Sequence, residues 1–164
     1  SMYNFNLDYD SNNEQKQDTK ILEEVNKFYQ KLFVTNSSVK EYIHDRGISE
    51  FSIEKFEIGY APTSIDTIDF LKSNHYNLTD AIDLGIIDTG TNGLYSRFIE
   101  RITFPIYSIN GKLVGFVGRT ITGHSAKYIN SPQTKLFNKS RLLYGYQIAK
   151  EQIYKKKQIG EHLK

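Results

Sequence analysis

Residues 101–121 read RITFPIYSINGKLVGFVGRTI and predict a β-hairpin. Three apolar residues of the first half alternate at period two, as in a strand with one buried face: Ile102, Phe104 and Ile106. Asn110-Gly111 is a strong hairpin signal and predicts a type I′ turn, after which residues 112–121 form the return strand. Because Pro105 cannot donate a ladder hydrogen bond, its strand is expected to lie at an edge or to be interrupted.

Helices are predicted before the hairpin. Apolar residues at helical spacing indicate a first helix: Ile21, Leu22, Val25, Phe28, Tyr29, Leu32 and Phe33. Asp18 or Thr19 is its expected cap, and we interpret its aromatic residues as core. The capping box Ser38-x-x-Glu41 predicts the start of a second helix, which Gly47 ends. Three shorter helices are expected near residues 52–56, 64–73 and 79–84.

The order of elements predicts an α+β fold. Short β-like segments at 86–88 and 94–98, a further strand at 127–130 and a closing helix from Leu142 to about Lys157 complete it. A helical N-terminal half, a small antiparallel sheet and a closing C-terminal helix follow one another. We expect a disordered arm at residues 1–17, a folded domain at 18–158 and a tail at 159–164.

Composition excludes several classes of protein. The chain has 164 residues, enough for one domain with its own core. It has no cysteine, which excludes disulfides, cysteine nucleophiles, iron–sulfur ligation and cysteine-type zinc sites. No stretch approaches 18 apolar residues and no signal segment is evident, so no membrane partner and a cytoplasmic location are expected.

The charge is unevenly distributed along the chain. The net charge is +2, but residues 41–96 carry ten acidic and three basic residues, and residues 97–141 carry eight basic and one acidic residue. Four of the five arginines lie in that basic block, and the fifth is Arg46. Because acidic partners are scarce there and guanidinium groups suit phosphate, the pattern favours a polyanion-binding surface over ordinary ion pairs.

No reaction centre is evident from the residues themselves. The chain has no P-loop, Gly-x-Gly-x-x-Gly or Gly-x-Ser-x-Gly motif, and its four histidines lack metal-ligand spacing. We therefore predict no catalytic and no metal-binding residues. The loops of the basic block combine cations with Asn, Ser or Thr, which suits contacts to backbone phosphates. Tyr128 could stack on bases, whereas Phe137 is interpreted as core.

Six collinear stretches carry a resemblance. They are YIHDRGI at 42–48, FEIGYAP at 56–62, RFIERITFPI at 97–106, GKLVGFVGR at 111–119, KYINSPQT at 127–134 and FNK followed by LYG within 137–145. In this order and spacing, the segment from Phe28 to Ala149 resembles the first subdomain of the RNA polymerase core of bacterial replicative DNA primases, the DnaG family. Members of that family synthesise RNA primers on single-stranded DNA and are nucleotidyltransferases.

The resemblance implies a basic wall. In the family, this wall holds single-stranded template or an RNA–DNA hybrid, together with NTP phosphates, against a following Toprim subdomain that binds catalytic Mg or Mn. The positions that match its basic residues are Arg46, Arg97, Arg119, Lys127 and Lys139, and Asn130 matches a polar one. With the charge pattern, the predicted nucleic-acid and nucleotide-binding residues are Arg46, Arg97, Arg101, Arg119, Lys127, Asn130, Ser131, Lys139 and Arg141.

The sequence also departs from the family. Ile99, Val117, Gln133 and Asn138 replace residues common at their positions. The Toprim signature expected soon after residue 158, the zinc-binding domain and the helicase-binding domain are not found. We therefore expect a fragment or natural truncation that does not make primers alone, whose partners are the Toprim subdomain and, through the missing domain, the replicative helicase. The alternative is a catalytically inactive protein-interaction module of replication; an independent hydrolase or nuclease is disfavoured because no acid cluster could hold metals.

Overall fold

The computed structural model describes residues 2–137, with side chains described from Lys16 onward. The helices are α1 (Met2–Thr35), α2 (Ser37–Asp45), α3 (Glu50–Lys55), α4 (Ser64–Ser73) and α5 (Leu78–Asp83). The strands are β1 (Gly59–Ala61), β2 (Ile87–Gly90), β3 (Gly93–Ser96), β4 (Arg101–Tyr107), β5 (Leu113–Thr120) and β6 (Tyr128–Asn130). This order confirms the α+β class. The predicted closing helix lies outside the described residues, so the domain limits 18–158 stay a prediction.

The main sheet contains four antiparallel strands in the order β1-β4-β5-β6. The hairpin of β4 and β5 confirms the prediction for residues 101–121, and β6 confirms the strand expected at 127–130. The two short β-like segments form a separate pair, β2 with β3. Strand β1 was not predicted, because only three residues form it and its partner is distant in the chain.

The hairpin tip differs from the predicted turn. Gly111 N donates to Ser108 O at 2.9 Å, so Ile109 and Asn110 are the central residues of the turn. Gly111 has a φ of +77°, whereas Asn110 is not left-handed. A type I′ turn needs positive φ at both central residues, so the type I′ prediction is wrong although the hairpin is confirmed.

Pro105 occupies a local edge of the sheet. Strand β1 pairs only with residues 101–103 of β4, and Pro105 lies opposite Phe116 of β5. At Pro105, therefore, β4 has a strand neighbour on one side only within the described sheet. This confirms the edge position expected from the missing N–H of proline.

Helix α1 begins earlier than predicted. Residues 2–17 are helical where the sequence analysis expects a disordered arm, and no Gly or Pro interrupts residues 2–35. Asp18 is not a cap: it is buried inside α1, and its Oδ2 lies 2.8 Å from Lys135 Nζ. Asp18, the predicted helix cap, instead forms an ion pair that joins α1 to the segment after β6.

The core is formed between α1 and the main sheet. The apolar face of α1 includes Leu22, Tyr29 and Phe33, each at most 1% exposed. The Tyr29 ring meets the Phe116 ring of β5 edge-on, with 5.5 Å between centroids. The predicted core role of the α1 aromatic residues is confirmed, as is that of Phe137, which is buried.

None of the described helices is long and apolar enough to cross a membrane.

Helix α2 is capped by Asn36 rather than by Ser38. Asn36 Oδ1 accepts a hydrogen bond from Val39 N at 3.2 Å, and the helix begins at Ser37. Asn36 and Ser38 are both acceptable cap residues, but Ser38 lies within α2 and Asn36 occupies the N-cap position.

Removal of the Asn36 cap gives a first prediction. We expect Asn36→Ala to lower the free energy of unfolding by about 1 kcal/mol, because one N-terminal N–H of α2 loses its acceptor. Ser38→Ala, at an exposed helical position, is the control and should change it by less than about 0.5 kcal/mol. Urea unfolding followed by circular dichroism measures both; the reverse ranking would restore the predicted capping box.

Candidate nucleic-acid interface

An arginine–tyrosine cluster, formed by Tyr42, Arg46, Arg119 and Tyr128, lies where α2 meets β5 and β6. Tyr42 lies in the last turn of α2, and Arg46, four residues later, is its C-cap, so the two side chains are neighbours at this end of the helix. Arg46 Cζ is 3.5 Å from the centroid of the Tyr42 ring, and Arg119 Cζ is 5.6 Å from it. Arg119 also lies 5.7 Å from the centroid of Tyr128, its partner in the β5–β6 register.

The two arginines of the cluster have no carboxylate partner among the described residues. Both guanidinium groups contact tyrosine rings, and Arg46 Nη1 donates a 3.5 Å hydrogen bond to Tyr42 O. The Nε atoms of both are buried and have no hydrogen-bond acceptor in the part of the chain that the structure describes. Because a ring face attracts a cation without neutralising it, the cluster keeps two positive charges. Such guanidinium groups are suited to bind phosphate oxygens.

Two other arginines hold the strand next to the cluster. Arg97 donates from Nε and Nη2 to Asn130 O, at 3.3 and 3.0 Å. Arg101 Nη1 donates to Lys127 O at 3.2 Å and to Gly118 O at 3.4 Å. These bonds fix both ends of β6 through its backbone, and they orient the side chains that β6 and Lys127 present.

Arg101 and Ser131 have packing roles in this structure. Arg101 is 6% exposed, and burial lowers the pKa of its guanidinium from the usual value. Ser131 is buried, and its Oγ accepts a hydrogen bond from Phe116 N at 2.8 Å. The physical reason is the same in both cases: each side chain satisfies backbone groups of the sheet. Both side chains are thus held inside the sheet rather than presented at its surface.

The remaining predicted residues, together with one further lysine of the basic block, Lys135, fall into three groups. Lys127 is exposed beside the cluster, and Asn130 is half-buried with an Oδ1 that has no partner among the described residues. Lys135 of the basic block is bound to Asp18, as described above. Lys139 and Arg141 lie outside the described residues. The structure thus brings together Arg46 and Arg119 and places Lys127 on the neighbouring strand end.

Tyr42 is the member of the cluster that the sequence analysis did not single out. Its contact with Arg46 could have been predicted, because the two residues are four apart in the YIHDRGI stretch, a spacing at which helical side chains are neighbours. Its contact with Arg119 has no sequence signature, since it depends on the tertiary structure that brings two distant parts of the chain together. Among the residues whose side chains the structure describes, no group of three or more His, Asp or Glu could hold a metal ion.

Comparison with known proteins identifies relatives of this chain. A family model described as "DNA primase catalytic core, N-terminal domain" matches residues 28–150. The DNA primase of Helicobacter pylori strain 26695 is 42% identical over 161 residues, which are 96% of this chain and 28% of that protein. The Campylobacter jejuni DNA primase is 42% identical over 163 residues, 97% of this chain and 27% of that protein. The chain thus spans little more than a quarter of these relatives.

A solved structure shares the fold. It is described as the DnaG primase catalytic domain bound to ssDNA, and it superposes with a TM-score of 0.72 at 31% sequence identity. The match covers 79% of this chain and 42% of that one.

Proposed function

This chain belongs to the family of DNA primase catalytic-core N-terminal domains, and on that premise we propose that it binds single-stranded DNA template, or an RNA–DNA hybrid, and nucleotide phosphates. The proposed contact surface consists of the arginine–tyrosine cluster together with Lys127 and Asn130.

The observation that carries the proposal is the pair of arginines without carboxylate partners in the cluster. Arg46 and Arg119 direct two positive charges to one place, beside the exposed Lys127. Cations of this kind supply the sequence-independent affinity of proteins for nucleic acids. Tyr128, whose exposed fraction is 45%, adds a ring on which a base could stack.

We propose a division of labour in the longer primase. The Toprim subdomain that the resemblance implies would bind the Mg or Mn ions and carry the transfer of nucleotides from NTPs. The present chain would hold the template and phosphates against it. The replicative helicase stays an expected partner of another domain of such a protein.

A DNA titration tests the proposal. We expect the chain to bind labelled single-stranded DNA in fluorescence anisotropy, weakly and with lower affinity at about 200 mM than at about 50 mM salt. Arg119→Ala and Lys127→Ala should each weaken binding and each reduce the slope of log K against log salt by about 0.7, because one phosphate contact is lost.

Lys72→Ala is the matched control for charge removal. Lys72 is exposed at the end of α4, within the acidic part of the chain, and its loss should leave affinity and slope unchanged. If Arg119→Ala and Lys127→Ala behave like this control, the contact surface is misassigned. Salt-insensitive binding of a protein, without DNA binding, would instead favour the interaction module.

A further inference from the structure

We propose that Tyr42 is a positioning residue, which holds Arg46 and Arg119 together as a two-guanidinium site for phosphate. The inference rests on the proposed function and adds a residue that acts through the arginines rather than on the nucleic acid.

The first step is electrostatic. Two guanidinium groups near each other repel, and proteins commonly offset such repulsion with a carboxylate. No described carboxylate forms an ion pair with Arg46 or Arg119, and both lie over the Tyr42 ring, at 3.5 and 5.6 Å from its centroid. The negative face of the ring attracts both cations. Unlike a carboxylate, the ring leaves their full charge available to a phosphate.

The second step is geometric. Tyr42 is half-buried and packs on the core cluster that contains Ile43 and Ile102. Its ring therefore has a fixed place between Arg46, the C-cap of α2, and Arg119 of β5. The ring also contacts the Arg46 guanidinium where α2 ends, just before Gly47, whose φ is positive. Tyr42 thus connects two elements that each supply one cation.

The third step concerns binding. A long side chain that is ordered only on binding loses conformational entropy, which weakens affinity. By holding two arginines before the ligand arrives, Tyr42 reduces that loss without contributing a phosphate contact. Loss of the ring should therefore weaken binding while the number of released counterions stays constant.

The test compares Tyr42→Leu with Tyr42→Phe in the same anisotropy titration. We expect Tyr42→Leu to bind single-stranded DNA about tenfold more weakly, with the salt slope of the wild type. Tyr42→Phe keeps the ring face and should stay within about twofold of the wild type. A direct phosphate contact by the Tyr42 hydroxyl predicts instead that Tyr42→Phe weakens binding as much as Tyr42→Leu does, which would overturn the inference.

A matched control separates positioning from packing. Tyr60 is also half-buried against the same core cluster, but none of the cation–ring pairs of the described residues includes it. Tyr60→Leu should lower Tm about as much as Tyr42→Leu does and leave DNA affinity unchanged. If Tyr60→Leu weakens DNA binding as much as Tyr42→Leu, the effect is one of packing and the inference is overturned.

A double-variant background makes the test independent of how well Tyr42→Leu folds. In Arg46→Ala/Arg119→Ala, Tyr42→Phe and Tyr42→Leu should bind equally, because the ring then has no cation to hold. A further loss specific to Leu in that background overturns the inference. Wild-type affinity of Arg46→Ala/Arg119→Ala itself would overturn the proposed function. Weak binding by that variant together with normal binding by Tyr42→Leu would overturn only the role of Tyr42.

Discussion

Gly59→Ala is expected to lower the free energy of unfolding by about 3 kcal/mol, because a methyl group at this position has no space. Its Cβ would lie 2.7 Å from Tyr29 Cβ, 2.9 Å from Tyr29 C and 2.7 Å from Thr103 Oγ1. Two of these atoms belong to the backbone or stem of α1 and cannot rotate away. Helix α1 and strand β1 would have to separate, which would open the core around Tyr29.

Thermal unfolding measures this effect. For a chain of this size, about 3 kcal/mol corresponds to a fall in Tm of roughly 6–12 °C. Gly90→Ala is the control, since the nearest atoms to its added Cβ are those of the half-exposed Tyr95 ring, at 3.2 and 3.3 Å. That ring can move, and Tm should change by less than about 2 °C. A Gly59→Ala variant that melts with the control would contradict the close contact of α1 with β1.

Arg101→Ala is expected to cost about 3 kcal/mol of stability, because a buried side chain is removed and two carbonyls each lose one hydrogen bond. The donor is Nη1, which bonds Gly118 O and Lys127 O. The stem of Arg101 also covers Gly118, where an added Cβ would lie 3.1 Å from Arg101 Cδ. Both β5 and β6 should loosen as a result.

DNA binding then distinguishes the packing role of Arg101 from the contact role that the charge pattern predicts. A packing role gives a large fall in Tm, with an unchanged salt slope wherever the variant still binds. A phosphate contact gives a near-normal Tm and a slope reduced by about 0.7. Lys112→Ala, at an exposed position just before β5, is the control for removal of a basic residue and should leave Tm unchanged.

The elements that could be predicted from the sequence are those whose signals lie in neighbouring residues. The alternation of residues 101–106 and the Asn110-Gly111 pair indicated the hairpin, because strand period and turn residues are properties of neighbouring positions. Strand β1 could not be predicted, since its three residues depend on pairing with β4 some forty residues later. The turn type also failed, because Asn110 tolerates both right- and left-handed backbone.

The functional site was likewise predicted only in part. Arg46 and Arg119 were predicted from charge and from resemblance, and the structure places both over one ring. Arg97 and Arg101 were predicted with them, yet they bind backbone carbonyls of the β6 region. A hydrogen bond to a carbonyl leaves no trace in residue identity, so a sequence pattern cannot separate a phosphate-binding arginine from one that holds a strand.

The packing of α1 on β5 has a consequence for synthesis. Helix α1 ends at Thr35 and β5 begins at Leu113. At about 5–20 residues per second, a ribosome needs roughly 4–15 s to add the intervening residues. During that time the apolar stripe of α1 has no β5 to cover it. The nascent chain therefore presents this stripe to chaperones until β5 leaves the exit tunnel, and only then can the Tyr29 and Phe116 rings meet.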